Sequence, residues 1–303
     1  MAIPEPIALV DAGAESDERP LRDAFALLFA NRIAFLGGLL AIAFLGVGVL
    51  GAVILATPGL QHLYLDQDFS ATLASPGHAG HLLGTDQYGR DLLWRTVAGT
   101  GISLLVGVAA TSATLVLGLT LGCIAGYFGG IVDRLVSGLI DLTWGFPLLL
   151  VAVVYAGMLE PGITAVVLAI GTVVWAGFAR IVRAQVRSLR EREFIEAARA
   201  LGTPAPKIIL RHLVPNVMAT VLVMASYYVA IAVITEAGFS FIGLGAQPPT
   251  PSLGQMIADG RNYFSVSIWP ATVPGVMIAL IVLALNSLGD GLRDIFDPRL
   301  RRF

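Results

Sequence analysis

Glu193-Phe-Ile-Glu-Ala-Ala-Arg-Ala-Leu-Gly202-Thr-Pro-Ala-Pro-Lys-Ile-Ile-Leu-Arg-His-Leu-Val-Pro215-Asn216 is the most polar long segment lying between two apolar ones. Eight of the chain's 19 basic residues fall between Arg180 and Arg211. Arg190 to Leu201 holds strong helix formers and neither Gly nor Pro, which predicts a helix. Phe194, Ala197, Ala198 and Leu201 stand at i, i+3, i+4 and i+7 and form one apolar stripe, with Arg and Glu elsewhere. Gly202 suits the left-handed position that ends a helix. Thr203 then reads as an N-cap and Pro204 as the first residue of a second helix. Pro215-Asn216 is expected to break that helix before the next apolar run. A short helix, a Gly turn and a second short helix, held between two membrane spans, have the form of a docking element for a soluble partner.

Composition sets the class. The 303 residues have mean hydropathy +0.80, are 56% hydrophobic and only 13% charged. Soluble domains carry about 25% charged residues, so the chain reads as an integral membrane protein. A net charge of −2 gives no ground for a nucleic-acid partner. The single cysteine, Cys123, lies in an apolar run, so there is no disulfide framework. Of the four histidines, His78 and His81 have the spacing of a metal pair. No Cys, Asp or Glu sits at ligand spacing from them in the sequence, and no metal site is expected.

Charge-free runs mark the membrane: Ile33–Leu65, Thr96–Val132, Leu142–Leu159, Pro161–Ala179, His212–Thr235 and Asn262–Gly289. A spanning helix needs about 20 apolar residues. The expected architecture is therefore all-α and polytopic, with six spans near 33–56, 97–126, 141–159, 162–181, 216–238 and 268–289. Residues 1–32 form an N-terminal segment that is too acidic early on to be a signal peptide. Leu21, Phe25, Leu28 and Phe29 follow helical spacing, which fits either a surface amphipathic helix over 20–32 or the solvated start of the first span. Gly118, Gly122 and Gly126 make a ladder of small residues that lets two helices approach closely. No charge is expected deep in a span, which speaks against proton relays and voltage sensing. With the N-terminus inside, only Arg90, Arg95 and Arg261 of the basic residues fall on outer segments. This bias predicts that both termini and residues 180–215 are cytoplasmic.

Here the residues carry a resemblance. Glu196-Ala197-Ala198, Gly202 and then His212-Leu213-Val214-Pro215 are similar to the EAA loop of ABC importer permeases, whose general pattern ends Ile-x-Leu-Pro. His212 and Val214 depart from that ending. The resemblance implies the type I importer permease fold, in which this loop forms a coupling helix seated in a groove of the ATPase subunit. Phe194, Glu196, Ala197, Ala198, Leu201, Gly202 and Pro215 are then the coupling residues. Phe194, Ala197, Ala198 and Leu201 would pack into the groove, and Glu196 would meet its polar rim. A surface pairing of Glu196 with Arg192 or Arg199 is the alternative.

Two outer loops narrow the family. Gly84-Thr-Asp-Gln-Tyr-Gly-Arg-Asp91 reads as a turn at Gly84 running into a helix capped by Thr85 or Asp86. Gly238–Gly254 is rich in Gly and Pro, and Gly238–Pro251 is expected to be a re-entrant or cavity-lining segment, since irregular backbone is not tolerated against lipid. These two stretches, with Gly289-Asp-Gly-Leu-Arg-Asp-Ile-Phe-Asp-Pro-Arg-Leu300 and, loosely, Asn31–Gly37, resemble the second permease subunit of dipeptide, oligopeptide and nickel importers, the DppC/OppC type. The resemblance implies a bacterial inner-membrane protein that works with a homologous DppB/OppB-like permease, two ABC ATPase domains, an extracytoplasmic binding protein and membrane lipid. The chain has no phosphate-binding loop and a single lysine, Lys207, so ATP and Mg would be bound by the partner ATPases. No catalytic residue or cofactor is expected in the chain itself. The cargo implied is short peptides. Nickel or glutathione import on the same architecture and a stand-alone secondary transporter are the alternatives. Glu236, Phe239 and Phe241 are candidates for the pore or outer gate; a lipid-interface glutamate or a buried partner for a loop donor also fits Glu236. Asp86, Arg90 and Asp91 are candidates for contact with the binding protein, or for a local network at a helix start.

Overall fold

The computed structural model describes residues 32–296. The expected surface helix over 20–32 lies outside them. The described residues hold eleven α-helical segments, one of them the single turn His62–Leu65, and no strands. Five helices are long and apolar enough to cross a membrane, and a bent pair supplies a sixth crossing.

Helix α1 is Arg32–Ala56 and α2 is Leu92–Phe128. At 1.5 Å per residue α2 is about 55 Å long, well beyond the ~30 Å hydrocarbon layer. Between them, residues 57–91 fold back on themselves. The backbone of Asp68 meets that of Gly89, Leu73 meets Asp86 and Thr85 meets Ala74. Gly89 has φ +74°, and a Cβ there would collide with the Asp68 carbonyl, so the turn requires glycine.

The segment expected as one span over 141–159 is broken. Helix α3, Gly130–Trp144, and α4, Leu148–Leu159, meet at 82° across Gly145-Phe146-Pro147. Proline cannot donate to the preceding turn, and the chain bends there. The Asp133 carboxylate of α3 is held by the Arg183 guanidinium of the next helix, and Asp141 by Arg180 at 2.9 Å.

That next helix, α5 (Ile163–Leu189), packs along α2. The glycine ladder is the reason. A Cβ on Gly122 would lie 2.8 Å from the Ala179 carbonyl oxygen, and one on Gly126 would lie 2.8 Å from that of Arg183. Beyond α5 come α6, Glu193–Ala200, and α7, Ala205–Ile208. A π-helical turn, Ile209–Leu213, then leads without interruption into α8, Val214–Phe241. Pro215 does not break the chain as its type suggests. It sits in the first turn of α8, where the wider turn before it leaves no amide donor missing. A short helix α9, Leu253–Gly260, and a long final helix α10, Trp269–Phe296, complete the fold.

Candidate functional site

The segment 190–215 sits against the bundle through one edge and leaves the other bare. Helix α6 begins after Arg192, which serves as its N-cap, and carries Glu193 and Glu196 in its first turn, where the helix dipole favours acids. Ile195 is fully buried and Ala198 is 9% exposed. With Ile208 and Leu213 they join a core containing Cys123 of α2, Phe178, Val182 and Val186 of α5, and Val217 and Val221 of α8. The opposite edge is open: Phe194 is 42% and Leu201 86% exposed, and Ala197 is exposed between them. Leu210, on the π turn, is exposed as well.

The stripe read from spacing therefore divides. Phe194, Ala197 and Leu201 face outward, whereas Ala198 faces the protein's own core and is unavailable to a partner. Gly202 has φ +74° with nothing near its missing Cβ, so its backbone conformation alone asks for glycine. The second helix starts one residue later than its sequence suggests, with Pro204 rather than Thr203 at the cap position. Arg199 does not turn to Glu196; its guanidinium lies over the Tyr127 ring, 5.1 Å from the centroid. Arg190 reaches the Tyr127 carbonyl at 3.3 Å. Both contacts fasten the segment to the end of α2. Pro215 is exposed.

At the other end of the bundle the polar groups are engaged internally. Asp91, not Thr85 or Asp86, caps α2: its Oδ1 accepts from the amides of Leu93 at 2.8 Å and Trp94 at 3.2 Å. Its Oδ2 meets His81 Nδ1 at 2.7 Å. Thr85 instead bridges backbone groups of Ala71 and Ala74. Asp86 is nearly buried; it accepts from the Tyr88 and Arg90 amides and pairs with Arg90 Nε at 2.7 Å and Arg95 Nε at 3.3 Å. Asp86, Arg90 and Asp91 thus form a local network at the helix start. Asp259 of α9 lies beside this network, where partial burial pushes its carboxyl above the ordinary carboxylate range against the pull of Arg95 and Arg90.

Glu236 is 1% exposed. Its carboxylate accepts from Ser103 Oγ of α2 and Ser240 Oγ of α8, each at 2.6 Å. Phe239 is buried in a core with Ile102, Val106 and Ile170, and Phe241 lies under the Arg261 guanidinium at 4.9 Å. Glu236 and Phe239 are thus buried within the chain, and Phe241 is half-buried. The Gly238–Gly254 segment is helical to Phe241 and irregular up to Ser252. A Cβ on Gly254 would strike the Ala237 carbonyl, so the start of α9 lies directly on α8. Among the described residues no group of three His, Cys, Asp or Glu side chains is placed to hold a metal.

Residues 118–302 match the family described as binding-protein-dependent transport system inner membrane component. The chain belongs to this family. Relatives bear this out over nearly the whole length. It is 38% identical to the dipeptide transport system permease protein DppC of Alkalihalophilus pseudofirmus over 93% of this chain and 91% of that one. It is 37% identical to the oligopeptide transport system permease protein OppC of Haemophilus influenzae, covering 92% and 89%. The glutathione transport system permease protein GsiD of Pectobacterium atrosepticum is 33% identical, covering 95% and 94%. The fold is similar to that of a chain of the MetNI methionine ABC transporter in an inward-facing conformation, with TM-score 0.55 and 20% identity over 68% of this chain and 98% of that one.

This inner-membrane component is thus an ABC importer permease, an all-α multi-pass membrane protein. Several of its organising residues escape sequence reading. Ile195, Ile208 and Leu213 anchor the 190–215 segment, yet each looks like any other apolar residue of a short helix. The Asp133–Arg183 and Tyr227–Asp290 pairs join residues 50 and 63 positions apart, and no local pattern announces them. The one available signal was acidic residues standing alone in otherwise apolar stretches.

Proposed function

We propose that this chain is the permease subunit of an ATP-driven importer of short peptides and forms half of the translocation path beside a homologous permease. In this reading residues 180–215 and both termini are cytoplasmic, and two ABC ATPase domains, which hold ATP and Mg, dock on the 190–215 segment. An extracytoplasmic binding protein delivers the cargo. The observation that carries the coupling assignment is the divided helix α6. One edge is fixed in the bundle by Ile195 and Ala198, and the other offers Phe194, Ala197 and Leu201 to solvent. A helix lying outside the bilayer has little reason to leave a contiguous apolar edge bare unless a partner covers it. The relatives' names favour di- and oligopeptides as cargo.

The test is uptake in cells from which only this gene has been removed. Entry of a radiolabelled dipeptide should fall to background, return when the wild-type gene is restored, and stop when ATP is depleted while the membrane potential is kept. Glutathione and nickel are run in parallel. Loss of glutathione or nickel uptake with intact dipeptide uptake would reassign the cargo. Uptake that follows the ion gradient rather than ATP would overturn the importer reading in favour of a secondary transporter.

A further inference from the structure

An apolar groove of about 420 Å³ opens beside the end of α2 that leads into α3. Leu119, Ile124 and Phe128 of α2 stand on one wall, and Pro206, Leu210 and Val214 on the other. No lining residue is charged. Phe128 is 53% and Leu210 69% exposed. Close-packed proteins hold few voids larger than a water molecule, so an open space of this size calls for an occupant. Its origin is local. The glycine ladder draws α5 onto another face of α2, and the π-helical turn Ile209–Leu213 carries the chain past this one into α8.

The dimensions fit one lipid chain. From Leu119 to Phe128, the last residue of α2, is about 13 Å along the helix. One leaflet supplies about half of a ~30 Å hydrocarbon layer, so the groove runs from the membrane surface towards the bilayer middle. A cavity of about 150 Å³ takes up benzene, so this volume has room for a chain of roughly a dozen carbons or more. Charge points to the kind of lipid. Lys207 and Arg211 directly follow the lining residues Pro206 and Leu210, and both are exposed. Among the described residues neither has an ion-pair partner. No acidic residue stands between Glu196 and Glu236. Two unpaired cations at the mouth of an apolar groove complement a phosphate headgroup above its fatty chain. A second groove, between α1 and α2 at Gly48 and Gly101, is the contrast: it has the same volume but lies within two charge-free runs.

We propose that the groove holds one chain of an anionic phospholipid of the inner leaflet, with Lys207 and Arg211 on its phosphate. The lipid then bridges α2 and the base of α8, next to the segment on which the ATPase docks. This rests on the cytoplasmic placement of residues 180–215 and is independent of the cargo.

The test uses the full importer in phosphatidylcholine nanodiscs. They carry a trace of phosphatidylglycerol or of phosphatidylcholine with a photoreactive diazirine in one chain, and adducts are located by peptide mass spectrometry. Phosphatidylglycerol should label residues 119–128 and 206–214 about 25-fold more than phosphatidylcholine does, a factor of about five for each of two basic side chains. Labelling between α1 and α2 should not depend on the headgroup. Lys207→Gln/Arg211→Gln should bring the first ratio close to one while the ATPase subunits stay bound. Leu210→Trp, at an exposed position, should lower adducts of both lipids there and spare the other groove. Equal labelling of the wild type by the two lipids would overturn the headgroup contact. Absence of adducts here, with normal labelling between α1 and α2, would mean that protein covers the groove and would overturn the site. Loss of the ATPase subunits from Lys207→Gln/Arg211→Gln would assign these side chains to the ATPase instead. If thiol labelling places Ala205→Cys outside, the cytoplasmic placement falls and the inner-leaflet assignment with it. The adducts still decide in that case whether the groove holds an anionic lipid.

Discussion

Truncating the bare edge of α6 separates docking from folding. Leu→Ala removes three carbons, worth about 0.8 kcal/mol each when transferred out of water. Leu201 is 86% exposed, so nearly all of that is available to a partner and none is used by the fold: about 2 kcal/mol. Phe194 is 42% exposed, and at about 1.5–3 kcal/mol for a fully buried Phe side chain Phe194→Ala would add about 1 kcal/mol. The double variant Phe194→Ala/Leu201→Ala should weaken ATPase binding by about 3 kcal/mol, a factor of roughly 150. It should lower the melting temperature of the isolated permease far less than Ile195→Ala does. Ile195→Ala is the counterpart. That side chain is fully buried in the core shared by α2, α5 and α8, and its loss should cost about 2–5 kcal/mol of fold stability. The assay is purification of the complex through a tag on this chain, with quantification of retained ATPase and of substrate-stimulated ATP hydrolysis, beside thermal unfolding of the permease alone. If the double variant keeps its ATPase subunits and its coupled hydrolysis at wild-type levels, the bare edge is not the docking surface. If it lowers the melting temperature as much as Ile195→Ala does, the division of α6 into two edges is wrong.

Three further outcomes are expected. Gly122→Val inserts a branched side chain where even a Cβ stands 2.8 Å from the Ala179 carbonyl, and should lower stability by about 1–3 kcal/mol or more, read as a lower thermal midpoint in detergent; Gly138→Ala, where nothing lies near the missing Cβ, is the control expected to be silent. Partial burial raises the Asp259 carboxyl, so its folded form binds its proton more tightly than the unfolded chain does; the stability it contributes is present below the ordinary carboxylate range and is lost as pH rises through the raised value, and Asp259→Asn should melt above wild type at pH 7 and converge with it as the pH falls through that range. Ala205→Cys and Ser75→Cys report topology in a Cys123→Ala background: an impermeant thiol reagent on intact cells should modify the second and not the first, and the reverse pattern would invert the proposed orientation.

Much of the architecture is legible because the bilayer leaves few choices. Charge-free runs of span length and the glycine ladder are consequences of solvent and close packing, and both appear in the chain before any tertiary fact is known. What stays hidden is direction. Residues 193–201 carry two apolar edges, Ile195 with Ala198 and Phe194 with Ala197 and Leu201. Spacing cannot say which edge faces the bundle, because the bundle's inner end is assembled from helices far away in sequence. Pro147 was visible, but an 18-residue charge-free run around it reads as one span unless the 82° bend is known. The same holds for the candidate sites. Asp86, Arg90 and Asp91 look like free recognition residues in a loop, and only the fold-back of residues 57–91 supplies their partners.

The packing also says where a push on α6 would go. Its anchored edge meets Phe178, Val182 and Val186 of α5 and, through Leu213, Val217 and Val221 of α8. Cores at this density move as bodies rather than absorbing strain. Helix α2 follows α5 because backbone carbonyls press on the glycine ladder, and α3 follows through Asp133 and Arg183. Helix α10 follows α8 by a contact of the same kind. It packs on α1 and on the far side of α8, and a Cβ on its Gly289 would lie 2.5 Å from Ser226 Oγ. The Tyr227–Asp290 bond lies in the same seam. A push on α6 therefore carries α8 and α10 together, and the Tyr227–Asp290 bond moves with them.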